Sequence, residues 1–317
     1  MNRPNLTLLA CLLGAIPLSL IAGRAWIFGQ EQGTALLIIA DLRLPRALLA
    51  VTVGAGLGAA GAAMQGYLRN PLADPGLFGI APGAALGAVL SFSFGYAASG
   101  WLLPIMALTG AGGAMALLAL LAGRGGGIAL FTLAGLMIAS LAGALTSLVI
   151  SLAPNPWALS EIVTWLMGAL TDRSWADVAL AAPLTLIGIV VLIRAAPALD
   201  ALTLGEDAAR SMGVRMDRLL ALLVVGVGLT IGSGVAVAGI ISFVGLMVPP
   251  LTDRRPSSLI VPSALAGGLM VLVADSVLRA LPLVSELRLG IALSLIGAPF
   301  FLWLLLRLRR GGTLGLT

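Results

Sequence analysis

Lysine and histidine are absent from this sequence of 317 residues, and Cys11 is its one cysteine. The phosphate-cradling loop G-x-x-x-x-G-K-[ST] needs a lysine, so any nucleotide hydrolysis must belong to a partner. Without histidine the chain lacks the commonest metal ligand, the usual general base and a common haem ligand. No catalytic residue, metal site, resident cofactor or nucleic-acid partner is expected. Cys11 lies in an apolar run and says nothing about redox compartment. Gly56-Leu-Gly58-Ala-Ala-Gly61 fits G-x-G-x-x-G, but the dinucleotide reading needs a preceding strand and these glycines sit inside one apolar run. Gly54, Gly58, Gly61 and Ala62 read instead as a smooth helix face for close helix packing. Asp275 and Arg279 stand four apart in another apolar run, either as a local ion pair near a span end or, if deep, as part of an ion pathway. A charge at mid-bilayer costs about 2.5–3.5 kcal/mol on insertion scales, and an ion-coupled carrier would normally hold more such groups. These residues favour a transporter or channel over an enzyme.

The most polar stretch between long apolar runs is Leu202 to Arg218, LTLGEDAARSMGVRMDR, with six charged side chains. Thr203 with Glu206 three residues on predicts a capping box, and Gly213 a left-handed stop, so the spacing predicts a helix of about two to three turns. Glu206 and Arg210 pair at four residues, with Leu204, Ala208 and Met212 on the other side. A helix this short is marginal alone in water. It is either an ordinary solvated loop helix or an element that packs against something else.

The elements around it are membrane spans. The chain is 60% apolar and 10% charged, with a mean hydropathy of +1.10, which predicts an all-α polytopic membrane protein of about ten helices. Apolar runs fall near 45–67, 77–95, 101–122, 128–152, 178–195, 219–241, 262–281 and 290–308. The N-terminal run after Arg3 is a first span or, on the same residues, a signal peptide. Ile240 to Leu251, ending in Pro249 and Pro250, reads as a half-span or broken helix. An even count puts both termini on one side, and the arginine bias makes that side cytoplasmic. Arg69, Arg124, Arg194, Arg210, Arg215, Arg218, Arg254 and Arg255 then lie inside, with Arg307, Arg309 and Arg310. Arg24, Arg43, Arg46, Arg173, Arg279 and Arg288 lie outside. Arg43, Arg46 and Arg279, at span ends, either anchor helix ends or present positive charge to an acidic partner.

Gly54, Gly56 and Gly61 recur in spacing as Gly232, Gly234 and Gly239, each set followed by a proline break, at Pro71 and at Pro249 and Pro250. Starting on opposite sides, the copies suggest an inverted repeat with a path between halves. After the first copy, Gln65 to Gly83 carries two prolines around Asn70 and Asp74, either a tight turn or a structured loop at the inner mouth of a path.

Together these pieces resemble the FecCD family of ABC importer permeases, which import iron siderophores, haem and cobalamin. The matching stretches are LRLPR (42–46), GAGLGAAGAAMQGYLRNPLADPGLFGIAPGAALG (54–87), TWLMGAL (164–170), LGEDAARSMGV (204–214), AGIISFVGLMVPP (238–250), VADSVLR (273–279) and LGIALSLIGAPFFLWLL (289–305). The resemblance implies one permease domain over residues 1–317 in a bacterial inner membrane. It also implies a homodimer with a path on its axis, two cytoplasmic ATPase subunits carrying ATP and Mg, and a periplasmic or lipid-anchored substrate-binding protein. Thr203, Leu204, Gly205, Glu206, Ala209, Arg210, Met212 and Gly213 would form the coupling helix, and Arg43, Arg46 and Arg279 would meet the binding protein. Gln65, Asn70, Pro71, Leu72, Ile128 and Ala129 match gate or path positions. The chain departs from the family at Val248-Pro249-Pro250, where the pattern reads V-P-H, in the short loop LTDRRPSS, and at Arg288, where it favours proline. The leading expectation is import of an iron chelate, siderophore or haem. The alternatives are cobalamin or another metal chelate or oxyanion, or an ion-coupled secondary carrier.

Overall fold

The computed structural model describes residues 3–23, 32–96, 99–123, 127–153, 155–248, 255–282 and 286–310. Pro249, Pro250 and residues 251–254 lie outside these, as do Arg24, Arg124 and Arg254. The described chain is helical: α1 (Arg3–Ile21), α2 (Gln32–Leu37), a π-helical turn (Ile38–Arg43), α3 (Leu44–Leu68), a 3-10 turn (Pro75–Phe78), α4 (Ile80–Ser93), α5 (Leu102–Ala122), α6 (Ile128–Ser151) and α7 (Pro156–Leu166). It continues with α8 (Trp175–Leu202), α9 (Glu206–Ser211), α10 (Met216–Ala238), α11 (Val244–Met247), α12 (Pro256–Ala280) and α13 (Leu289–Arg310).

Among the described residues 7 helical segments are long and apolar enough to cross a membrane, and Asn5–Ile21 and Ile80–Ser93 are shorter apolar helices. Over its described residues, 240–248, the run that begins at Ile240 is broken, as expected. The chain leaves α10 at Gly239, with φ +70, and re-enters helix only for the four residues of α11. The π-helical turn lies within the long span Gly33–Leu68 that ends in α3, while the short helix α7, capped by Asn155 Oδ1 accepting from Ala158 N–H (2.8 Å), carries no apolar run of spanning length.

Two helices form the centre. The span ending in α3 is 72% buried and α10 is 78% buried, against 22–39% for the other spans. These two carry the repeated glycines. Apolar area cannot drive helices together in lipid, so close approach does, and small residues permit it. A Cβ on Gly58 would overlap the Ser263 carbonyl of α12, and one on Gly54 would overlap that of Gly267. α3 packs chiefly on α12, whereas α10 packs chiefly on α8 and less extensively on α5.

Two polar ties orient the bundle. At one face Asp200 Oδ1, near the end of α8, accepts from Ser257 N–H at the start of α12 (2.8 Å). At the opposite face Arg46 of α3 meets Asp275 near the end of α12. The segment holding α9 therefore lies on the face opposite the arginine cluster.

Candidate functional site

The segment 203–214 is a rigid clip between α8 and α10. One expectation is corrected here: Thr203 does not cap α9. It remains in the last turn of α8 at φ −59, ψ −27, and its hydroxyl donates to Asp200 O (2.7 Å). Gly205 is the N-cap of α9, at φ 106, ψ 158 and without a side-chain cap bond. The stop is as the spacing indicates. Gly213, at φ +86, lets its N–H reach Arg210 O (2.9 Å) and Val214 N–H reach Ala209 O (3.0 Å), a Schellman closure. Arg210 Nη2 donates to Glu206 Oε1 at 2.7 Å, and this bond holds the Arg210 guanidinium above its ordinary pKa. Ala209 is the side chain turned inward, at 0% exposure, while Leu204 and Met212 are 70% and 54% exposed. The apolar side of the clip faces away from the protomer.

Next to the clip, Gly127 lies against Glu206 and caps α6. Ile128 is half-buried and Ala129 exposed at this corner. The structure does not bring them to Leu72, which lines a separate cavity of about 410 Å³ between the first-repeat loop and the broken segment. That loop is built locally. Arg69 ends α3 in the left-handed region at φ 50, exposed Asn70 accepts from Leu72 N–H through Oδ1 (2.9 Å), and Pro71 is half-buried. Gln65 Nε2 donates to Gly245 O of α11 (3.3 Å).

Asp74, a turn residue by sequence, is also a bridge. It accepts from Gly76 N–H (2.7 Å) and lies near the backbone N–H of Phe243 across the repeat boundary, which also favours its charged form. Burial pushes its carboxyl up, partly offset by those two N–H groups. Phe243 is one of three non-glycine residues with positive φ among those described, at 68°, and its ring covers Gly297 of α13.

On the opposite face the three arginines are turned inward. Arg43 Nη1 donates to Leu20 O (2.8 Å) and Ile21 O (2.9 Å), closing the end of α1. Arg46 donates to Asp275 through Nε (3.0 Å) and Nη2 (2.8 Å), and to Glu286 Oε2 (3.0 Å). Arg279 Nη2 donates to Ser19 Oγ (2.8 Å), and its Nε stands 3.1 Å from Asp275 Oδ2. Asp275 is 1% exposed, so the local ion pair foreseen with Arg279 exists but Arg46 completes it. Arg43, Arg46 and Arg279 thus tie helix ends together. Sequence reasoning missed Glu286; its one signal was an acidic residue beside a span start.

This geometry, a glycine-packed polytopic bundle with a rigid exposed clip and a broken helix, coincides with known transport proteins. The family model of the FecCD transport family matches residues 5–307. The chain belongs to this family. It is similar to the ABC transporter permease protein YvrB of Bacillus subtilis (strain 168), at 38% identity over 87% of this chain and 80% of that protein. It is also similar to the vitamin B12 import system permease protein BtuC of Yersinia enterocolitica, at 36% identity over 97% and 94%. A solved metal-chelate type ABC transporter in an inward-facing conformation matches with a TM-score of 0.88 and 31% identity, over 96% of this chain and 98% of that one. This FecCD member is therefore a multi-pass membrane permease subunit of an ABC importer, a transport component rather than an enzyme.

Proposed function

We propose that two copies of this chain enclose the path of an importer for a metal chelate, with an iron chelate such as a siderophore or haem as cargo. Two ABC ATPase subunits, holding the ATP and Mg, dock on the α9 face, which is cytoplasmic together with both termini. A periplasmic or lipid-anchored substrate-binding protein docks on the opposite face, whose shape the Arg43, Arg46 and Arg279 cluster holds. The observation that carries this reading is the clip. Leu204 and Met212 are exposed on an element closed at both ends by backbone bonds, and an apolar side kept rigid and uncovered suits a partner's groove. Glu206 and Arg210 hold its polar side. Motion of the ATPases on binding ATP reaches α8 and α10 through this clip.

The test is uptake and ATP hydrolysis by the reconstituted assembly. Changing Leu204 and Met212 to Asp together with Glu206→Ala abolishes substrate-stimulated hydrolysis while the purified permease remains folded; unchanged stimulation sinks the proposal. Cobalamin is a second reading, favoured by likeness to vitamin B12 import permeases over nearly the whole chain. Uptake assays with haem, a ferric siderophore and cyanocobalamin separate the two.

A further inference from the structure

A bowl of about 360 Å³ opens beside α7, lined by Trp157, Glu161, Trp165, Asp172, Arg173 and Arg288. It lies on the face opposite α9, because its Thr171 donates to Glu286 Oε2 (3.1 Å), the carboxylate that Arg46 also holds. Its floor is tied to two spans. Ala169 N–H donates to Ala238 O at the end of α10 (2.8 Å), and Gly290 N–H at the start of α13 donates to Gly168 O (3.0 Å). The Trp165 ring meets Phe92 edge-on at 6.2 Å, which gives the bowl a fixed aromatic wall.

Two of the residues that line the bowl each carry a donor without an acceptor. Trp165 Nε1 and Arg173 Nε are both buried without a hydrogen-bond partner, and an unsatisfied buried N–H is costly. Unlike Arg46 and Arg279, neither Arg173 nor Arg288 makes an ion pair among the described residues. Burial, with repulsion from Arg288, holds the Arg173 guanidinium below its ordinary pKa despite Asp177 and Asp172. The lining carries two carboxylates as well, but Glu161 and Asp172 are exposed while both arginines are half-buried. Recessed donors with solvated acids at the rim call for a ligand that brings oxygen acceptors inward.

We propose that the bowl binds the acidic edge of a carboxylate-bearing metal chelate, with Arg173 and Arg288 donating to its oxygens and the aromatic wall covering its apolar part. This deepens the metal-chelate reading and rests on it. At about 360 Å³ the bowl is at the small end of ligand pockets, so it grips one edge of the chelate.

Because Trp157 and Trp165 line the bowl, binding to the full-length permease in nanodiscs is read by quenching of tryptophan fluorescence. The probes are haem, with two propionates, ferric citrate, and a neutral ferric hydroxamate. The two acidic chelates quench saturably and the neutral one does not. R173Q/R288Q weakens the acidic chelates on the order of 100-fold, as two charge-assisted contacts are lost, whereas R173K/R288K retains most of the affinity. Equal binding of the neutral hydroxamate, no saturable quenching by either acidic chelate, or an R173Q/R288Q affinity within about threefold of wild type overturns the proposal. In the full assembly, uptake of chelates that ignores these arginines refutes this inference alone. Absence of any chelate uptake refutes the reading beneath it.

Discussion

Single side chains decide where this chain is stiff. Asp275, 1% exposed, is held by Arg46 on α3 and Arg279 on its own helix. Breaking a buried pair by removing one partner leaves the other charge uncompensated, typically costing about 3–5 kcal/mol. Arg46→Ala should therefore lower thermal stability in detergent by several degrees, and adding Asp275→Asn, which also strips Arg279 of its carboxylate, should cost less than the sum of the two single losses. A pair of additive losses would show that the two side chains act independently. Gly58 offers a test of shape. Its missing Cβ is where the Ser263 carbonyl sits, so Gly58→Ala should destabilise by about 1–3 kcal/mol through overpacking, measured by denaturation of the purified protein. The Asp275–Arg279 pair was legible from a spacing of four. Arg46 was not, because its partner lies 229 positions away and no local pattern joins them.

At the scale of elements, the loop after α3 and the broken segment before α11 form one joint. Asp74 lies near the Phe243 N–H, and Phe243 is held at φ 68. If Asp74 steadies that strained backbone, Asp74→Ala should lower transport several-fold in a Phe243→Ala background and much less in Phe243→Gly, where left-handed backbone has no steric cost. Equal losses in both backgrounds would rule this out. Titration gives a second test. Burial raises the folded pKa of Asp74, so the folded state binds the proton more readily than the unfolded one. The stability this adds is present below the unfolded carboxylate pKa and is lost as pH rises through the folded value. Asp74→Asn should therefore gain stability relative to wild type as pH climbs from the carboxylate range towards neutrality. A constant difference in melting temperature across that range would contradict it. The sequence marks this loop through its prolines, but its approach to the broken segment, including the bond from Gln65 to Gly245 O, exists only once both have folded.

The whole molecule couples two faces. The α9 clip joins α8 to α10 on one, and the bowl floor is bonded to the end of α10 and the start of α13 on the other. Since α10 is 78% buried, it can carry displacement between faces as a packed rod rather than a flexible strand. A disulfide-free check follows from Cys11, the chain's one cysteine and exposed on α1. A fluorophore there should report no shift on ATP binding by the partners, whereas one placed at Met212 of a Cys11→Ser variant should. A signal of equal size at both sites would count against transmission through the clip. Composition and period alone determined the fold class, the spans, the broken segment, the glycine contact face and the exposed polar clip, because each rests on neighbours within a few turns. Only tertiary structure decided that Thr203 ends α8 instead of capping α9, that Arg43, Arg46 and Arg279 turn inward, and that Arg173 and Trp165 share a bowl with Arg288. Those outcomes depend on which carbonyls and carboxylates distant helices bring within about 3 Å, a distance that sequence spacing does not encode.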